Sequence, residues 1–116
     1  MGKDKLSVQS MDFAVQIINL VKSLKEKRES IISNQIGRSG TSIGANIREA
    51  NYARSKTDFS AKLQIALKEC YETEFWIDLC DRTNLVPEEV LKKFKHDCGA
   101  IRRMLIKSIN TVENNN

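Results

Sequence analysis

The sequence predicts an all-α protein, an antiparallel up-down bundle of four helices. Three observations lead there. The 116 residues contain one Pro and five Gly, too few for the turns of an all-β sandwich or the repeated Gly-rich loops of α/β folds. Four stretches repeat apolar residues every three or four positions, the period of a helix with one buried face. The breaks between them are short and polar, so each helix must fold back on the one before it. At 13.2 kDa and 41% hydrophobic, residues 1–116 form a single domain, with no room for a second core.

The first helix is expected over about residues 6–25, with the core row Leu6, Ser10, Phe13, Ala14, Ile17, Leu20, Val21 and Leu24, and it ends in the polar cluster Lys25 to Ser30. The second, about residues 30–53, has the row Ile32, Ile36, Ser39, Ile43, Ile47 and Ala50 with Gly40 beside it. Small residues on that row allow a neighbouring helix to approach closely, at about 1 kcal/mol per Gly in helix propensity. Ser55 stands three residues ahead of Asp58, a capping arrangement that opens the third helix at about residues 58–81. Its row is Phe59, Leu63, Ala66, Cys70, Thr73 and Ile77. Pro87 followed by Glu88 and Glu89 suits the first turn of the fourth helix, about residues 87–112, with the row Val90, Leu91, Phe94, Cys98, Ile101, Leu105, Ser108 and Val112 before Asn114-Asn115-Asn116 frays.

Two helices carry more apolar surface than an isolated bundle needs. At 100° per residue, Val8, Met11, Val15 and Ile18 fall away from the core row of the first helix. Ala61, Ile65, Phe75, Trp76 and Leu79 do the same on the third. No remaining segment is long enough to cover both stripes, so they are expected to be oligomer interfaces. Being different surfaces, they can meet head to tail and close a ring.

The formal charge of +4 is unevenly spread: residues 28–56 and 83–112 each carry a net +3, whereas residues 57–82 carry −3. On the fourth helix Lys92, His96, Arg103 and Lys107 share the outward face, with Lys95 and Arg102 flanking them. Arg38 and Arg48 project from the polar side of the second helix, with Tyr52 near them. Such faces suit phosphate contacts, salt-dependent and weakly sequence-specific, while the thin aromatic content argues against base stacking as the source of recognition.

Catalytic chemistry finds no constellation. The single histidine, His96, neighbours Asp97, but adjacent helical residues point about 100° apart and cannot pair as base and orienting acid. Metal binding would need more ligands than His96 and Cys98, which lie on different faces. Cys70, Cys80 and Cys98 are an odd count with no CxxC pair, which points to a reducing cytoplasm and to buried thiols, with Cys70 and Cys98 level across the core. Gly37-Arg38-Ser39-Gly40-Thr41-Ser42 is no phosphate loop, since it lacks the Gly-Lys pair and the preceding strand. The start, Met1-Gly2-Lys3-Asp4-Lys5, meets neither the signal-peptide nor the myristoylation pattern. No cofactor, small-molecule substrate or membrane span is expected.

The segment from Gln35 to Ala50, with Gln35-Ile36-Gly37-Arg38 and Ser42-Ile43-Gly44-Ala45-Asn46-Ile47-Arg48-Glu49 at fixed spacing, resembles the signature of the bacterial 23S rRNA intervening-sequence protein family. Asp58-Phe59 with Leu63 to Glu72, and Phe13-Ala14-Val15, are similar to further blocks of that family, and the likeness runs from about Leu6 to Ile109. The resemblance implies a four-helix bundle without catalytic residues, assembled as a cyclic pentamer. It implies partners such as structured RNA or, as in similar accessory proteins of diversity-generating retroelements, a reverse transcriptase. Gly44 stands where many relatives have Pro, and Ala50 where many have Gly, so any kink of the second helix is expected to be milder or displaced. The expected function is therefore a non-enzymatic oligomer that binds RNA or a nucleoprotein through basic faces; the alternative is a protein-interaction scaffold without nucleic-acid contact.

Overall fold

The structure, a computed structural model describing residues 4–114, contains four helices: α1 (Lys5–Glu26), α2 (Ile31–Ala50), α3 (Lys56–Arg82) and α4 (Glu88–Asn114). No strand occurs among the described residues. Met1-Gly2-Lys3 and Asn115-Asn116, on which the leader and fraying expectations rest, lie outside them. The helices pack in the cyclic order α1–α2–α3–α4, so α1 and α3 occupy opposite corners, as do α2 and α4. The α1–α4 seam is the least extensive of the four.

The caps explain the boundaries. Asp4 accepts the Ser7 amide at 2.8 Å and starts α1, and Ser55 accepts the Asp58 amide at 3.0 Å and starts α3, as its spacing from Asp58 suggests. Helix α2 is capped by a carboxylate. Ser30 makes no side-chain cap bond; instead the Glu29 carboxylate accepts from the amides of Ile32 at 2.6 Å and Ser33 at 3.3 Å. Helix α2 also stops three residues before the expected 53, because the amides of Asn51, Tyr52 and Ala53 close onto the carbonyls of Arg48, Glu49 and Ala50. Helix α1 ends in a Schellman closure: the Arg28 amide bonds to Lys25 O and the Glu29 amide to Leu24 O, with Arg28 left-handed at φ 60°. Asn84, left-handed at φ 57°, opens the turn from α3 to α4.

The core rows meet as the periodicity requires. Phe13, Ile17, Ile36, Ile43, Leu63, Ile77, Leu91, Ile101 and Leu105 are essentially inaccessible, each contributing about 1.5–3 kcal/mol on burial. Phe13 and Phe94 meet edge to face with centroids 6.0 Å apart. Not every row residue is buried: Leu6, Ala14, Val21, Ser108 and Val112 are only partly buried, and Ile109, outside the expected row, is buried instead. Val90 is exposed, since a helical step of about 100° turns it off the face on which its neighbour Leu91 is buried. Phe59, at the start of α3, is only half-buried against the core. Cys70 and Cys98 do lie level, both fully buried, with the Cys98 thiol 3.7 Å from the Cys70 carbonyl. The hydrogen bond to Cys70, together with burial, holds the Cys98 thiol well above the ordinary thiol range, which makes it packing material rather than a nucleophile.

Helix α2 is the centre of the close packing. A Cβ on Gly40 would stand 2.8–3.0 Å from three side-chain carbons of Ile17. On the neighbouring face Ser39 and Thr73, both fully buried, share a 2.9 Å hydrogen bond across α2 and α3. At Gly44 the nearest atoms, of Ser10, would be 3.4–3.6 Å away, an ordinary contact.

These contacts set two stability expectations, both readable from chemical denaturation. Gly40→Ala should lose roughly 1–2 kcal/mol despite its better helix propensity, because β-branched Ile17 cannot rotate away. Gly44→Ala should be neutral or gain up to about 1 kcal/mol; equal effects at the two positions would contradict the packing. Arg28→Gly should raise stability by about 1 kcal/mol by relieving the left-handed backbone.

Candidate nucleic-acid interface

The acidic charge of α3 is met from both sides. Arg38 of α2 pairs with Glu69 at 3.3 Å and with Glu72. Arg102 of α4 pairs through Nε with Glu74 at 3.0 Å and lies 5.9 Å over the Tyr71 ring. Lys95 pairs with Asp81 at 2.7 Å and more loosely with Asp78 at 3.8 Å. The titration shifts have the same cause: the hydrogen bond from Arg38, then that from Trp76 Nε1, holds the Glu72 carboxyl below its usual range. The Glu74 hydrogen bond raises Arg102, and the Asp81 hydrogen bond raises Lys95. Three of the eight basic candidates are thus engaged within the chain.

The remaining five behave differently. Among the described residues no ion pair within 4.0 Å involves Arg48, Lys92, His96, Arg103 or Lys107. Nor do the eight form one patch. Arg38 and Arg48 ride on α2, at the corner opposite α4. On α4 the helical step turns Lys95 and Arg102 towards α3, while His96, Arg103 and Lys107 border the α1 seam. Gly99 lies under the arginines: a Cβ there would stand 3.3 Å from the Arg103 guanidinium and 3.5 Å from that of Arg102.

Sequence reasoning missed one cation. Lys5, in the first turn of α1, lines the same groove as Arg103 and Lys107. Its only signal was topological, since it reaches α4 because the start of α1 lies beside the end of α4. Farther along the seam, Lys93 bonds to Gln16 at 3.1 Å and pairs with Asp97 at 3.0 Å, so the middle of the groove is charge-balanced. His96 borders this stretch with Asp12 and Asp97, a setting of mixed charge and no metal cluster; no group of three or more His, Cys, Asp or Glu converges among the described residues.

The second set of candidates separates by exposure. On α1, Val8, Met11, Val15 and Ile18 are exposed, Val15 at 55%. On α3, Ile65 and Phe75 are exposed, Phe75 at 57%, and Ala61 is exposed as well. Trp76 and Leu79 are half-buried against the core, so only part of each reaches the surface. Phase by 100° steps counts both in the outward stripe, and the width of the core buries part of each. No helix among the described residues is long and apolar enough to cross a membrane.

Comparison with known proteins agrees with this architecture. A family model described as 23S rRNA-intervening sequence protein matches residues 4–107. A crystal structure of a protein with unknown function from the S23 ribosomal protein family of Bacteroides thetaiotaomicron is 48% identical, covers 90% of this chain and 97% of its own, and superposes with a TM-score of 0.88. No functionally curated protein matches. With its signature segment on α2, its length and its four-helix architecture all accounted for, the chain belongs to the 23S rRNA-intervening sequence protein family.

Proposed function

We propose that this chain is a non-enzymatic, ring-forming helical bundle that binds structured RNA through the basic outer face of α4. The observation that carries the reading is the division of the cations. Those turned towards α3 are consumed by its carboxylates, whereas Lys92, Arg103 and Lys107 have no carboxylate within ion-pair distance among the described residues. Cations left in water with no internal partner are available to phosphates, and releasing counterions on binding makes the interaction strongly salt-dependent. Arg48, on the other side of the bundle, would serve as a second and weaker contact, and Arg38, Lys95 and Arg102 would contribute mainly by shaping α3. The family's name, which refers to an intervening sequence of 23S rRNA, is consistent with an RNA setting.

The topology of this reading is an antiparallel up-down bundle. It is supported by contacts that join the end of one helix to the start of a neighbour: the end of α2 to the start of α1 (Asn51 to Ser7, 2.9 Å) and to the start of α3 (Glu49 to Lys62, 3.2 Å), and the end of α4 to the start of α3 (Glu113 to Ser60, 3.2 Å). The assembly rests on the two apolar stripes. They lie on α1 and α3, at opposite corners of the bundle, so one subunit's α1 can meet the next subunit's α3 repeatedly around an axis. Five subunits is the number that the family resemblance implies, and cytoplasmic location is the one its free cysteines suit.

Converting Lys92, Arg103 and Lys107 together to Glu should weaken binding to a generic RNA hairpin by roughly a hundredfold or more at low salt, with unchanged helical content. Unaltered affinity would overturn the RNA reading. A binding constant for the parent protein that stays flat as salt rises, or no binding at all, would favour the scaffold alternative. For assembly, Val15→Glu or Phe75→Glu should each give a monomer by light scattering; both positions are exposed, so loss of folding is not a competing explanation, and an unchanged mass would refute the two-stripe contact.

A further inference from the structure

The geometry points to a site for a single unpaired nucleotide at the end of the bundle where α1 begins and α4 finishes. This inference rests on the RNA-binding reading above and specifies which part of an RNA the chain selects. Two adjoining cavities meet there. One, of about 300 Å³, lies on the α1–α4 seam and is bordered by Lys5, Arg103 and Lys107. The other, of about 440 Å³, opens at the bundle end and is lined by Leu6, Ile47, Phe59, Leu63 and Met104. Lys5, Met104 and Lys107 line both, so the two ammonium groups stand at the rim that joins a basic groove to an apolar hollow.

That pairing of chemistries is the one a nucleotide presents. Its phosphate is held by point cations, while its base is flat, largely apolar on its faces and polar at its edge. Phe59 offers a half-buried aromatic ring in the hollow, and Asn51 and Ser108 supply polar groups beside it for a base edge. Among the described residues that line the two cavities the one carboxylate is Asp4, bonded to Ser7 and Asn51, and Lys5, Arg103 and Lys107 outnumber it. A fully paired stem keeps its bases stacked inside the helix and could use only the groove. An RNA with a bulged or looped-out nucleotide could use both.

The test compares three hairpins by fluorescence anisotropy with the full chain at low salt: a fully paired stem, the same stem with one bulged purine, and that bulge with its base removed. The bulged RNA should bind about tenfold tighter than the other two. Ser108→Trp, which adds bulk at a residue lining the hollow, should erase that preference. Equal affinity for the bulged and the abasic RNA would overturn the nucleotide site while leaving the phosphate-binding reading intact. Failure of all three RNAs to bind would overturn that reading and this inference together. The abasic comparison uses the unaltered protein, so it decides the matter even if the Trp variant folds poorly.

Discussion

Ile17 occupies the space that a side chain at position 40 would fill, and the α1–α2 seam closes around that contact. With α1 and α2 held this closely, the neighbouring face of α2 can present Ser39 to Thr73 and fix its height against α3. The two contacts lie on adjacent residues of one helix, so α2 sets the spacing and the register of both neighbours. The fourth helix then aligns with α3 through the Cys70–Cys98 level and with α1 through the Phe13–Phe94 edge-to-face contact. Dense interiors transmit such constraints because there is little empty volume to absorb a shift.

Charge is organised around that frame. Helix α3 carries an excess of carboxylates and lies between the two helices that can neutralise it. Pairs this exposed add little to stability. Their larger effect is on availability: they engage Arg38, Lys95 and Arg102, whereas Lys92, Arg103 and Lys107 on the outer face of α4 make no ion pair among the described residues. The overall charge of +4 is therefore a poor guide to what a partner would meet.

Three cations unpaired among the described residues border the loosest seam. Where α1 and α4 adjoin least, the helices leave hollows rather than a packed surface, and Lys5, Arg103 and Lys107 border one of them. Exposed apolar residues lie elsewhere, at the α1 and α3 corners. Assembly through those corners and RNA contact through α4 would thus use separate surfaces, and neither would obstruct the other.

The four helices, their approximate limits and nearly all of the core were legible in the sequence, because a 3.6-residue period and capping residues are local properties of the chain. Where that reading slipped, a local competitor won: three successive amides ended α2 at Ala50 rather than at residue 53. The basic face of α4 was also legible, since all of its residues share one helix. What sequence could not supply was the sorting of those cations into paired and unpaired, the splitting of Arg38 and Arg48 onto an opposite corner, and the addition of Lys5 to the α4 groove. Each of these depends on which helices become neighbours and at what height, and those distances are set by side chains such as Ile17 and Thr73 meeting partners more than twenty residues away.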